Sequence, residues 1–132
     1  MSLRSDANHC FVCGPGNPIG LKLTFHLNND ICRSKFTPQD NHCGYDDVTH
    51  GGIIYSALDD VMANWLFLKG VRAYTAKCNI HYKRPLPVGT TVTLEGICIK
   101  EKARLAILQG KMIRQDNGEV VAETEASFIK ML

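Results

Sequence analysis

Two glycines and two aspartates stand close together in this chain, as His50-Gly51-Gly52 and Asp59-Asp60. A glycine pair at the start of a helix leaves backbone N–H groups uncovered at the positive end of the dipole. Such a site can hold an anion or a developing oxyanion. A carboxylate on an apolar helix is costly unless it is paired or functional. Placed beside a carbonyl it can serve as a base or a nucleophile. Gly51 and Asp59 are eight residues apart, which is roughly 12 Å along a helix axis. One helix therefore cannot bring both to one carbonyl. If both act, the aspartate comes from a second copy, and the sequence points to a two-fold dimer with sites at its interface.

The element that carries these residues is the one long helix of the chain. A polar, glycine-rich run, Val48-Thr49-His50-Gly51-Gly52, leads into Ile53 to Leu68, and Lys69-Gly70 closes it with a basic last turn and a C′ glycine. At 100° per residue, Ile54, Leu58, Val61, Trp65 and Leu68 share one side. Gly52, Ser56, Asp59 and Ala63 share the other, flanked by Tyr55, Met62 and Leu66. A helix so nearly apolar all round reads as buried. Asp60 points about 100° away from Asp59. It reads as a hydrogen-bonding or ion-pairing residue, and as the alternative acid.

The remaining elements read as strands. Residues 1–19 are dense in turn formers, and Met1-Ser2-Leu3 could be native or an added leader. From Gly20, Leu21, Leu23, Phe25 and Leu27 alternate with Lys22, Thr24 and His26, a half-buried strand. Asn28-Asn29-Asp30 is a hairpin turn, and Ile31 to Phe36 is the partner strand. A polar loop runs from Pro38 to Asp47. After the helix come strands at Arg72 to Tyr82, Thr90 to Lys100, Ala103 to Ile113 and Val120 to Leu132. Asp116-Asn117-Gly118 supplies a hairpin signal before the last. Val92, Leu94 and Gly96 are read as inward positions, and so are Ala122, Thr124, Ala126 and Phe128. Two strands, one helix and four strands make an α+β fold, a curved antiparallel sheet of about six strands wrapped around one central helix.

Composition narrows the field. The 132 residues suit one domain with one core. Hydrophobic content of 45% with 21% charged residues is ordinary for a soluble protein. A net charge of +2 gives no argument for nucleic acid. No apolar run reaches membrane-spanning length, and no signal-peptide core is visible. Six cysteines without an export signal favour reduced thiols and a cytoplasmic location. His9-Cys10-x-x-Cys13 has zinc-like spacing that Cys32 and Cys43 could complete, but small buried thiols are the preferred reading, and neither metal nor cofactor is expected.

The motifs at the joints resemble the hotdog-fold thioesterases, in particular the PaaI-like, phenylacetate-degradation branch. They are Cys10-Phe11-Val12-Cys13-Gly14 with Asn17-Pro18-Ile19-Gly20-Leu21, then Gly44-Tyr45-Asp46-Asp47-Val48-Thr49-His50-Gly51-Gly52, then Leu58-Asp59-Asp60, and Tyr82-Lys83-Arg84-Pro85-Leu86-Pro87-Val88-Gly89. The resemblance implies hydrolysis of an acyl-CoA thioester. The expected assembly is the homodimer argued above, with pairing to a homotetramer expected and its packing face left open. The resemblance also implies that Gly51 gives its N–H to the thioester carbonyl and that Asp59 is general base or nucleophile. Thr75 would orient the acid or the water, and His50 would shape the site. Gly52, Gly44, Cys43 and Asp60 would border the substrate. Lys83 and Arg84 would either meet the phosphates of CoA or be solvated charges. Relatives commonly carry an Asn or Gln at the position of Cys43 or Gly44, and this chain has no amide at either. That departure motivates a second reading, a hotdog protein that binds acyl-CoA without turnover. A hotdog dehydratase or hydratase is a third, but no histidine follows Asp59 within the helix.

Overall fold

The structure is a computed structural model that describes residues 6–131. Met1-Ser2-Leu3 and Leu132 lie outside the described residues. The elements in order are β1 (His26–Asn28), β2 (Ile31–Phe36), a 3-10 turn (Asp40–His42), α1 (Gly51–Phe67), β3 (Ala73–Tyr82), β4 (Val92–Lys102), β5 (Leu105–Arg114) and β6 (Val120–Lys130). All strand pairs are antiparallel, in the sheet order β1-β2-β4-β5-β6-β3. The sheet is curved and unclosed around α1, the hotdog arrangement that the resemblance implies.

The alternation read in the strands is the alternation of burial. Val92, Leu94 and Gly96 on β4 face the core, as do Ala122, Thr124, Ala126 and Phe128 on β6. They meet Ile54, Ala57, Leu58, Val61, Met62, Trp65 and Leu66 of α1. At Gly96 the helix comes so close that a methyl group would lie 2.7 Å from the Val61 carbonyl oxygen. Only glycine permits that approach. The helix ends in a Schellman arrangement: the Val71 N–H reaches Leu66 O and the Gly70 N–H reaches Phe67 O, with Gly70 at φ +83°.

Three expectations need correction. The strand read from Gly20 to Leu27 keeps its alternating burial, but its ladder is only His26–Asn28. Its earlier N–H groups are taken by the N-terminal segment, with Leu21 bonding Phe11 O and Leu23 bonding Val12 O, and Lys22 sits at φ +56°. The hairpin turn narrows to Asn29-Asp30, both at positive φ, as a type I′ turn requires. The helix is not buried all round. The sheet covers one side of it, while Gly52 and Leu68 are exposed and Ser56, Asp59 and Ala63 are half-buried.

Candidate active site

Helix α1 starts where its sequence loses side chains. His50 is the N-cap, and its Nδ1 accepts the Gly52 N–H at 2.8 Å. The Ile53 and Ile54 N–H groups bond His50 O. Among the described residues the Gly51 N–H has no protein acceptor, so it stands as an available donor at the positive helix end. The loop before it is braced on three sides. His50 N donates to His42 O, Gly44 N donates to Val48 O, and Thr49 N donates to Leu86 O. Val48 also bridges Pro87. The Arg84-Pro85-Leu86-Pro87 turn and the His50-Gly51-Gly52 run, far apart in sequence, are thus one structural unit. Gly44 lies against His50, and Cys43 bridges Thr49 in the same loop.

Asp59 lies two turns along the helix, half-buried beside the edge strand β3. The Thr75 hydroxyl donates to its Oδ1 at 2.5 Å, and the Tyr55 hydroxyl donates to the same oxygen at 3.4 Å. Thr75 comes from β3, where an irregularity between Thr75 and Lys77 locally shifts the register. Tyr55 is one helical turn before Asp59. Burial first, then contact with Cys78 and the charge of Asp59, hold its hydroxyl well above the usual tyrosine range. Tyr55 therefore stays protonated and keeps donating. Further along β3, the Tyr82 hydroxyl donates to Gly51 O at 2.9 Å. Strand β3 is thus tied to α1 at both the acid and the amide end.

Asp60 takes a different course. Its Oδ2 accepts from Asn64 Nδ2 at 2.9 Å, and the Cys10 thiol lies 3.8 Å from its Oδ1. Its side chain thus faces the N-terminal segment, on another side of the helix from Asp59. Burial, with the charge of Asp60 second, pushes the Cys32 thiol up to about 12. Contact with Cys10, then burial and Asp60, hold the Cys13 thiol above its usual range. Lys83 pairs with Glu123 at 2.6 Å and Arg84 with Glu119 at 3.0 Å, with each cation half exposed. Met62, Trp65 and Leu66 are core residues, whereas Tyr55 and Phe67 are only half-buried.

The structure therefore brings Asp59 and Thr75 together, and separately gathers His50, Gly51, Gly52, Gly44 and Cys43. Within one chain it does not join the two groups. Sequence reasoning weighed Tyr55 only as a wall of the acyl pocket and gave no role to Tyr82 or Asn64. Tyr55 and Asn64 stand four residues from Asp59 and Asp60, the helical spacing that puts side chains in contact. Tyr82 had no such signal, being 31 residues from Gly51.

Comparison with known proteins bears on the fold and the family. A crystal structure of a thioesterase superfamily protein superposes with a TM-score of 0.85 at 26% identity, over 92% of this chain and 63% of that one. This chain thus spans less than two thirds of that relative. A hypothetical thioesterase from Streptococcus pneumoniae, solved with coenzyme A, matches at TM-score 0.77 and 14% identity, over 83% of this chain and 88% of that chain. The PaaI protein of the E. coli phenylacetic acid degradation operon matches at TM-score 0.78 and 18% identity, over 85% and 81%. The last two are likenesses of fold. The family model for the thioesterase superfamily matches residues 47–121, from the loop before α1 into β6 and more than half of the sequence. With that match, the chain belongs to the thioesterase superfamily.

Proposed function

We propose that this chain, acting as one domain, hydrolyses an acyl-CoA thioester to the free acid and coenzyme A. The observation that carries the reading is the carboxylate of Asp59. It is half-buried beside the edge strand β3 and oriented by two hydroxyl donors. The Gly51 N–H receives the charge that develops on the thioester oxygen, a contribution typically worth about 3 kcal/mol of barrier. Asp59 acts as the base that activates water, or as the nucleophile. As base, Asp59 takes a proton from the water whose oxygen attacks the acyl carbon. As nucleophile, it forms a mixed anhydride as the carbon–sulfur bond breaks, and water then hydrolyses that anhydride to free the acid and the carboxylate. On both routes the carbon–sulfur bond breaks and a proton passes to the departing CoA sulfur. Thr75 and Tyr55 hold the carboxylate in place, and His50 fixes the loop at the amide end.

A second copy closes the gap of roughly 12 Å between the two groups. Strand β3 supports this, because it is a ten-residue edge strand with β6 as its one neighbour among the described residues. Thr75 marks the acid on β3, and Tyr82 marks the amide end. Residues 78 and 79 lie midway between them. Antiparallel pairing of two β3 edges about that midpoint sets Thr75 of each copy opposite Tyr82 of the other. The Asp59 of one copy then approaches the Gly51 of the next. The half-buried Tyr55 and Phe67 border the space left for the acyl group.

A thiol-release assay across short, medium, long and aryl acyl-CoAs tests the proposal. Turnover with one class, in a protein that sediments as a dimer or larger, is the expected outcome. The absence of a side-chain amide at Cys43 and Gly44 favours a second reading, acyl-CoA binding without hydrolysis. Tight CoA-ester binding with no free thiol at high protein concentration would select it.

A further inference from the structure

The N-terminal segment carries a cluster of groups that hydrolysis does not use. Cys10 and Cys13 lie against the middle of α1, and their sulfurs and a carboxylate oxygen of Asp60 all fall within 4.8 Å of one another. The two sulfurs are 3.0 Å apart, and the Cys10 sulfur is 3.8 and 3.9 Å from the two Asp60 oxygens. We propose that Cys10, Cys13 and Asp60 form a binding site for a thiophilic divalent cation, zinc by preference.

Geometry comes first. A tetrahedral ion with sulfur ligands at about 2.3 Å and oxygen at about 2.0 Å sets neighbouring ligand atoms roughly 3.5–3.8 Å apart. The Cys10–Asp60 edge is already near that spacing. The two sulfurs need to separate by under about 1 Å, a small side-chain rotation, to match it.

The backbone is arranged to suit a thiolate. The Cys13 N–H points at the Cys10 sulfur at 3.3 Å, which favours negative charge there. The loop turns back at once, with Gly14 N bonding Cys10 O at 2.9 Å. A methyl group at Gly14 would lie 2.4 Å from Cys10 N and 2.5 Å from Asn8 O, so no larger residue fits the turn. Asn64 steadies the third ligand through its 2.9 Å bond to Asp60 Oδ2, as outer-shell groups do in metal sites.

The ligand set points to the ion. Two thiolates select zinc and its soft neighbours over magnesium or calcium, and a single carboxylate beside them does not reverse that preference. On binding, each cysteine releases its proton to solvent. A cavity of about 180 Å³ opens beside the cluster, lined in part by Cys10, Cys13, Asp60 and Asn64, and gives room for water at a fourth position. The ion would fasten the N-terminal segment to the face of α1 that Asp60 presents, about 100° round the helix from Asp59.

Metal content of the full-length protein, purified reduced, tests the site. Wild type should take up one equivalent of zinc, and cobalt in its place should show thiolate-to-metal charge-transfer absorption. Cys10→Ser with Cys13→Ser should abolish both signals, while Cys98→Ser should keep them. Asp60→Asn, nearly isosteric and checked for folding by circular dichroism, should weaken zinc binding at least about tenfold, the loss that even outer-shell partners commonly cause. A reduced wild type that takes up no zinc would overturn the proposal. So would unchanged stoichiometry in the double serine variant, or unchanged affinity in Asp60→Asn.

Discussion

Asp59 and Asp60 are neighbours in sequence with opposite surroundings. Asp59 meets hydroxyl donors, one from β3 and one from its own helix, at the edge of the sheet. Asp60 meets an amide and sulfur, and faces the N-terminal segment. A helix turns by about 100° per residue, so one step along the chain carries a carboxylate from one environment to the other. The comparison teaches that a pair of acids in a motif is not a pair in chemistry. What surrounds each one decides its role.

Substitutions can break or sharpen that contrast. The largest effect is expected from Asp59→Asn, which should lower kcat by about 10²–10⁴-fold, the usual worth of a positioned base. Affinity for a non-hydrolysable CoA ester, read by calorimetry, should be largely kept. Equal loss from Asp60→Asn would dissolve the distinction between the two acids. Next comes Thr75→Ala, which removes a hydrogen bond to a charged group worth about 1.5–3 kcal/mol. A fall in kcat of about tenfold to a hundredfold with KM little changed would mark Thr75 as a positioning residue.

Asp60→Ala should act on stability instead. It removes the side-chain acceptor of Asn64 and leaves its bond to the backbone O of residue 60, a loss of about 0.5–1.5 kcal/mol seen as a lower denaturant midpoint with a much smaller change in turnover per folded molecule. The smallest effect is expected at Tyr55. Its hydroxyl titrates above its ordinary value of 10.0, so the stability it contributes is complete below that pH and is lost as pH rises beyond it. Tyr55→Phe cannot ionise. The difference in denaturation free energy between wild type and this variant should therefore narrow above pH 10. A difference that stays constant would place Tyr55 outside the Asp59 network.

Much of this was legible in the sequence, for reasons that particular residues show. Helix α1 could be read because its apolar positions recur at helical spacing and Gly70 stops it. Strand β2 could be read to its ends, Ile31 and Phe36. Thr75 was expected beside the acid through resemblance alone, and the hydrogen bond to Asp59 is there. The short β1 was not legible. Alternation at Leu21, Leu23 and Phe25 reports which face is buried, and says nothing about which carbonyl takes each N–H. The sulfur cluster was missed for a similar reason. Cys32 and Cys43 were considered as further ligands, whereas Asp60, 50 residues from Cys10, is the group that folding brings near. Spacing within a motif is readable, but a contact made by the closing of the fold is not.

At Gly96 a bare hydrogen separates sheet from helix, two residues past Asp59 in register with Val61. That point works as a fulcrum. Any side chain there would lift α1 and tilt it, swinging the acid away from Thr75 and the glycine end away from Tyr82 in a single rigid movement. Side chains elsewhere on α1 can vary, while the height of the helix above the sheet is locked.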